Sequence, residues 1–362
     1  MTALRNIISV AHYERIMLAR TTRFRFLGLV GIAIPMFFGV VLAIAEVFGE
    51  VDEGASVFGL SAFVPFYFYT YTQTVLTAFV AGNFRAADEH AGVGEVIAAR
   101  PMSTTQIVIG KYLGVLQALA GLSALVALLT MGIQAAKLSL VGAPFIFAPY
   151  AYYFFLMMLP ALIFMSALTF SLGVILRNRT AVALLSVGYV LTVLFYLGTR
   201  YGGIFDFGAF FAPLFYSDML GVGDISRLLQ IRVMYLALSV AFLGLAVACY
   251  PRLPNPGLGG KVGHAMALFG LVATLGAYTV IAKGDAARLD RRADLLATQI
   301  SHADMPVATV RHYNVDLALM NGDTPLAAEV GMRLANDNDV ALERLIFTLN
   351  PGLALEIGRA HV

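Results

Sequence analysis

The sequence predicts an all-α polytopic membrane bundle followed by a partial β domain, and three observations support this fold class. Of the 362 residues, 59% are hydrophobic and only 13% are charged, whereas soluble domains carry about 25% charged residues. Charges are absent from several runs that are long enough to cross a bilayer, which takes about 20 apolar residues. After Ala308 the apolar period changes to two, and this alternation is typical of β-strands.

Seven apolar runs are predicted to span the membrane as helices. Residues 1–24 precede them, and their apolar and charged residues alternate at helical spacing, which predicts a helix lying in the membrane interface. Residues 25–250 hold six spans, and residues 251–282 hold a cytoplasmic linker and the seventh. The predicted spans are Leu27–Val47, Phe58–Ala81, Tyr112–Ala136, Tyr150–Leu176, Ala181–Leu197, Met234–Tyr250 and Ala265–Ile281.

The distribution of Lys and Arg predicts the orientation of the bundle. With the N-terminus inside, the outer loops hold only Lys137, Arg200 and Arg227, with Arg232 at the mouth of the sixth span, and the inner loops hold the other basic residues of the short connections. Basic loops stay in the cytoplasm. We therefore expect a cytoplasmic N-terminus and an extracytoplasmic tail from Lys283 onward. A basic patch for nucleic acid is absent, so we expect no nucleic acid as partner. The apolar runs make a lipid membrane the expected partner.

One charged stretch interrupts the apolar runs within roughly the first two hundred residues, and it forms the predicted cytoplasmic loop 83–111. Pro101 ends one helical pattern, and Ser103 or Thr104 is expected to cap the next helix. Charge pattern alone favours a solvated connecting loop; the other interpretation is a docking helix parallel to the membrane. The charged residues of this loop are Arg85, Asp88, Glu89, Glu95, Arg100 and Lys111.

The connection between the fifth and sixth spans, residues 200–227, is aromatic and rich in glycine rather than polar. This composition predicts short interfacial or re-entrant helices instead of a loose loop. Two roles are open for the connection, a gate at an outer exit and a simple cap on the bundle. The candidate gate residues are Phe205, Phe207, Phe210, Phe211 and Phe215.

Several motifs are missing from the sequence. Gly110-Lys111 lacks the Ser or Thr and the first glycine of a phosphate-binding loop, so we expect no ATP site here. No HExxH occurs and the six histidines are dispersed, which gives no argument for a metal site. No charged residue lies at the middle of a span, which argues against an ion-coupled transporter. We expect Gln73, Gln117 and Gln134 to make hydrogen bonds between helices.

The tail, residues 283–355, is predicted to be extracytoplasmic and to begin with a helix, Asp285–Ile300. Two alternating segments then flank Asn321-Gly322, a strong signal for a tight hairpin, and a third strand is predicted around Leu345–Leu349. Three strands are too few to bury a core of their own. The last residues, 356–362, read EIGRAHV and back-translate plausibly into a common sequencing-adapter sequence. We therefore expect the natural chain to continue past residue 355.

The stretch RAADEHAGVGEVIAARPMSTTQIVIGKYLG resembles the intracellular loop of ABC-2-type transporter permeases. The matching features are Glu89, a Gly step at Gly92 or Gly94, Glu95, Pro101-Met102-Ser103 and Gly110-Lys111. This resemblance implies a six-span permease subunit, itself no enzyme, that docks through this loop on a separate ABC ATPase subunit. ATP and Mg would be bound by that ATPase. A homodimer, or a second permease bundle, would form the path of an exporter in the bacterial plasma (inner) membrane.

The tail from VRHYNVDLAL to LERLIFTLNPGLAL resembles the first strands of aminopeptidase-N-like metallopeptidases. The zinc motif of that family is not in this chain, so the resemblance carries over no peptidase activity. It does leave an alternative function, in which the bundle is the membrane anchor of an extracytoplasmic aminopeptidase-like metallopeptidase. A third possibility is a regulatory or assembly factor that uses the bundle as a scaffold.

Overall fold

The computed structural model of the protein is mostly helical, with a small two-stranded sheet near the C-terminus. It describes residues 2–48, 59–82, 102–141, 145–212, 216, 223–250, 258–302, 305–319, 326–342 and 344–345. These residues divide into two compact units, one ending at Asp285 and the other beginning at Ala286. The first unit contains a helical bundle, which agrees with the predicted fold class.

The helices of the described residues are numbered here in chain order. Helix α5 contains a π-helical segment, Tyr153–Met158, and α6 ends in another, Val193–Leu197. The bounds are α1 Thr2–Arg20, α2 Thr22–Val47, α3 Gly59–Ala81, α4 Thr104–Val141, α5 Ala148–Leu176, α6 Arg179–Leu197, α7 Ser226–Cys249 and α8 Leu258–Ser301.

Six of these helices are long and apolar enough to cross a membrane, namely α2, α4, α5, α6, α7 and α8. Six such helices indicate a multi-pass membrane protein. Helix α3 corresponds to the second predicted span but is not among the six. It is rich in Tyr and Thr, and its Phe66, Tyr69, Thr70 and Gln73 are almost completely buried by neighbouring helices. The side chains of α3 therefore suit a protein interior better than a lipid surface.

Helix α4 begins with the cap that the sequence predicts. The Gln106 amide donates to Ser103 Oγ at 3.2 Å, and Gln106 Oε1 accepts from the Ser103 amide at 3.3 Å. This reciprocal pair is a capping box, which satisfies two amides that the first helical turn leaves open. Gln106 Oε1 also accepts from Asn6 Nδ2 at 3.2 Å. The start of α4 is therefore tied to α1 as well.

Helix α1 packs closely on α4 because two glycines of α4 leave room for it. A Cβ atom added to Gly110 would lie 2.7 Å from Val10 Cβ, and one added to Gly114 would lie 2.6 Å from Glu14 Cβ. Such distances are shorter than real Cβ contacts. The sequence predicts that residues 1–24 form a helix lying in the membrane interface. In the structure Ala11, on the face of α1 that packs against the bundle, is only 2% exposed.

Helices α7 and α8 also approach each other through glycines. A Cβ atom at Gly244 of α7 would lie 2.8 Å from the Ala267 Cα and from the Gly263 carbonyl oxygen of α8. A Cβ atom at Gly270 of α8 would lie 2.8 Å from the Ala237 carbonyl oxygen of α7. Small residues let two backbones come this close. The two helices therefore meet along their main chains.

The second unit contains an antiparallel pair of strands, β1 Thr309–Leu319 and β2 Leu326–Ala335. Val315 lies opposite Val330, and a bulge interrupts the register between Val310 and His312. The predicted turn at Asn321-Gly322 lies outside the described residues, as does most of the predicted third strand. The helix predicted for Asp285–Ile300 is confirmed, but it is continuous with the seventh predicted span, because α8 runs without a break from Leu258 to Ser301.

Candidate functional site

Most of the predicted docking residues lie outside the described part of the chain. These are Arg85, Asp88, Glu89, Glu95 and Arg100. Lys111, by contrast, is described and is buried in α4, where its Nζ lies 3.4 Å from Glu14 Oε2 of α1. The two side chains are 4% and 13% exposed. Lys111 therefore holds α1 against α4, and its role in docking stays a prediction.

A second buried ion pair lies near the other end of α4. Lys137 Nζ donates to Glu46 Oε2 of α2, and the two side chains are 2% and 10% exposed. The prediction that Lys137 lies in an outer loop is wrong, because α4 runs on to Val141. A lysine is acceptable inside the helix because Glu46 compensates its charge. We call the two ends of the bundle the Glu14 end and the Glu46 end; they are about 39 Å apart along α4 at 1.5 Å per residue.

The predicted gate residues form part of an aromatic plug at the Glu46 end. Phe207 and Phe210 are buried, at 0% and 4% exposure. The Phe207 ring lies 5.3 Å from that of Phe164 in α5, and the Phe210 ring lies 4.2 Å from that of Tyr71 in α3. Such aromatic contacts add to the stabilisation from apolar burial. The connection between α6 and α7 thus inserts two rings into the bundle.

The other predicted gate residues are placed differently. Phe205 and Phe211 are 37% and 40% exposed, and Phe215 lies outside the described residues. The predicted short helices are reduced to one turn of 3-10 helix, Tyr201–Gly203, in the described part of this connection. The plug is held instead by polar contacts of the backbone, which the composition of the segment does not reveal.

Asp206 organises the backbone of the plug. Its Oδ1 accepts from the Phe210 amide and its Oδ2 from the Phe211 amide, both at 2.8 Å. Arg232 of α7 donates to the carbonyl oxygens of Phe207 and Asp206. Burial raises the pKa of Asp206, while the two amides and the Arg232 guanidinium oppose that shift. The side chains of Asp206 and Arg232 thus fix the loop that carries Phe207 and Phe210.

The plug is also attached to α8. Arg227, at the start of α7, donates to the Gly202 carbonyl oxygen and pairs with Asp285 of α8. Gly202 has a φ of 66°, a left-handed conformation that glycine adopts without strain. The connection therefore contacts α3, α5, α7 and α8 around the Glu46 end.

A buried polar chain crosses the centre of the bundle. Gln73 Nε2 of α3 donates to the Met158 carbonyl oxygen of α5 at 2.9 Å, and Gln73 Oε1 accepts from Ser123 Oγ of α4 at 2.8 Å. Tyr69 Oη lies 3.1 Å from the same Ser123 Oγ. The predicted helix–helix role of Gln73 is confirmed. Met158 is the last residue of a π-helical segment, a feature that often marks functional sites.

Comparison with models of protein families and with curated protein sequences gives no match to this chain. The function must therefore be argued from the site itself. Within the described ranges, no three His, Cys, Asp or Glu side chains come close enough to hold a metal ion. What the described residues do offer is two buried ion pairs on one long helix, and an aromatic plug at the Glu46 end.

The contacts made by Glu46, Asp206 and Arg232 are not predicted by the sequence. Glu46 and Arg232 lie at the edges of apolar runs, where a charged residue is commonly assigned to solvent. A useful signal was the isolation of Asp206 among aromatic residues of the sequence FDFGAFF. A charged residue in such surroundings needs a partner once it is buried.

Proposed function

We propose that this protein is the membrane permease subunit of an ATP-driven ABC exporter, coupled to a separate ATPase subunit through residues 83–111. The proposal rests on the resemblance of this loop to ABC-2-type permeases. One structural observation supports it further. Helix α4, which begins at Thr104 within this stretch, carries a buried ion pair near each of its ends.

This arrangement suits a helix that transmits movement. The start of α4 is joined to α1 by Lys111–Glu14 and by the hydrogen bond between Asn6 and Gln106. Near its other end, Lys137 joins it to Glu46 of α2. A force applied to the loop by an ATPase would therefore act on α1 and α4 together. Because packed helices move as rigid bodies, that movement would reach the Glu46 end.

The plug would then be the outer gate of the exporter. In the arrangement described above, Phe207 and Phe210 fill the space between α3, α5 and α7. An outward-open state would require these rings to withdraw. The backbone contacts of Asp206 and Arg232 would let the two rings move as one unit.

The docking role is tested with charge reversals in the loop. Glu89→Lys and Glu95→Lys are each compared with Glu329→Lys, which changes an exposed residue of β2. An ABC ATPase subunit from the same source genome is co-expressed with the protein as bait, and co-purification from detergent extracts is measured. We expect both loop variants to lose association and the β2 variant to keep it. Wild-type recovery of both loop variants would contradict the docking role.

A second candidate, the membrane anchor of an extracytoplasmic metallopeptidase, is favoured by the antiparallel pair β1–β2 at the predicted start of that domain. An HExxH motif in the reading frame downstream of residue 355 would support it. Transport assays separate the two functions. If the bundle is only an anchor, its replacement by an unrelated membrane bundle leaves ATP-dependent export unchanged. If the bundle is the permease, the same replacement abolishes export.

A further inference from the structure

A cavity of about 210 Å³ lies at the Glu14 end of the bundle, away from the plug. Its polar lining comes from Glu14, Thr21, Arg23 and Arg179, and the rest of its wall is apolar, including Phe79 and Val80. Helices α1, α2, α3, α4 and α6 all contribute to it. Nothing in the proposed transport function uses this cavity.

The charges around the cavity are predominantly positive. Arg23 and Arg179 line it directly, and the carboxylate of Glu14 faces the ammonium group of Lys111 at 3.4 Å. These four side chains comprise three positive charges and one negative charge. The cavity therefore favours an anion.

Arg23 supplies a more specific observation. Its Nη1 atom is buried and has no hydrogen-bond partner among the described residues. A guanidinium N–H that is removed from water without a partner is unfavourable, and a bound anion in the cavity would satisfy it. Planar guanidinium groups match the oxygens of phosphate and carboxylate particularly well.

Two helix N-termini lie beside the same cavity. Thr21, whose Oγ1 accepts from the Phe24 amide at 3.2 Å, caps α2, and Arg179 is the first residue of α6. The N-terminal turn of a helix carries partial positive charge and stabilises anions. Both helices are among the six that can cross a membrane, so the cavity lies at the level where their apolar segments begin.

The surroundings indicate an anion that is attached to an apolar chain. Apolar residues form most of the wall. The α2 surface next to it exposes Phe26 and Leu29 at 66% and 67%, which is the behaviour of a helix face in contact with lipid chains. A phosphate between the two arginines could therefore have its acyl chains along α2.

We infer that this cavity binds the phosphate headgroup of an anionic membrane lipid, with Arg23 and Arg179 as its ligands. Arg23 Nη1 donates to a phosphate oxygen, Arg179 neutralises the remaining charge, and the acyl chains pack on the apolar surface of α2. The same chemistry would accept a free phosphate ion, and the test below separates the two sources. The site does not depend on the proposed transport function.

The test is native mass spectrometry of the full chain, purified in detergent and incubated with phosphatidylglycerol, with phosphatidylcholine or with inorganic phosphate. The variant Arg23→Gln/Arg179→Gln is compared with Arg25→Gln/Arg177→Gln. The control removes the same two charges from exposed arginines close by in the sequence, which do not line the cavity. We expect wild type and control to bind phosphatidylglycerol equally, and the cavity variant to bind it about tenfold more weakly.

The single variant Arg179→Gln keeps the test valid if the double variant does not fold, because Arg179 is exposed. Equal binding of phosphatidylglycerol by wild type and Arg179→Gln would overturn the proposal. Binding of inorganic phosphate without preference for phosphatidylglycerol over phosphatidylcholine would overturn the lipid assignment. A variant with Asp88, Glu89 and Glu95 all neutralised provides a further check. If it binds the lipid and wild type does not, these carboxylates occupy the cavity and the proposal fails.

Discussion

Lys137 of α4 and Glu46 of α2 form an ion pair whose side chains are only 2% and 10% exposed. Removing one partner leaves the other charge buried, which typically costs about 3–5 kcal/mol. We expect Glu46→Gln and Lys137→Met each to lower the free energy of unfolding by about 3 kcal/mol. The double variant should lose less than the sum. Unfolding in increasing SDS, followed by circular dichroism, measures all three, and strict additivity would contradict the pairing.

The two glycines of α4 that face α1 give a second prediction. Gly114→Ala places a methyl group 2.6 Å from Glu14 Cβ and 2.7 Å from the Ala11 carbonyl oxygen, so α1 must move away. We expect a loss of about 1–3 kcal/mol. We also expect faster trypsin cleavage after the exposed Arg15 and Arg20.

Gly121→Ala is the matched control for that prediction. Gly121 lies in the same helix, and a Cβ atom there meets nothing within 4 Å. The substitution should be neutral or stabilising by up to about 1 kcal/mol, since alanine favours helix more than glycine does. A similar loss of stability in both variants would mean that helix geometry, and not the contact with α1, determines the result.

The plug provides a third prediction. Phe207 is fully buried between Phe164 and Tyr189, and its replacement by alanine should cost about 3–5 kcal/mol. Phe195→Ala is the control, because that ring is 84% exposed. For a gate, Phe207→Ala should also raise the leak of a small dye from vesicles that contain the protein. Lower stability with an unchanged leak would instead identify the plug as a cap.

Asp206 gives a prediction about pH. Its pKa in the folded protein is raised by burial, so the folded state holds the proton more tightly than the unfolded chain does. Its contribution to stability is therefore greatest below the unfolded pKa of about 3.9 and is lost as pH rises through the folded value. In Asp206→Asn this decrease should disappear. An identical pH profile of thermal unfolding for both proteins would contradict a raised pKa.

The sequence predicts well those features that depend on local chemistry. Ser103 is expected as a helix cap from its position after Pro101, and it makes that cap with Gln106. The long apolar runs also predict helices from local chemistry, because a helix satisfies the hydrogen bonds of its own backbone groups inside a membrane. Alternation of side chains likewise predicts β1 and β2.

The sequence predicts poorly what depends on a partner far along the chain. Lys137 is assigned to a loop because its partner Glu46 lies 91 residues away. Helix α3 is treated like the other spans, although its polar residues find their partners in α4 and α5. The proposed lipid site escapes detection because Arg23 and Arg179 lie at the starts of different helices, α2 and α6, and only folding brings them to one cavity.

The close contact of α7 and α8 has a mechanical consequence. Because their main chains meet at Gly244, Gly263 and Gly270, neither helix can slide or rotate past the other without a steric clash. The pair therefore acts as a single rigid unit, and Arg227 links its Glu46 end to the turn at Gly202. Since α7 and α8 move together, any large motion of the bundle must take place where this unit meets the other helices.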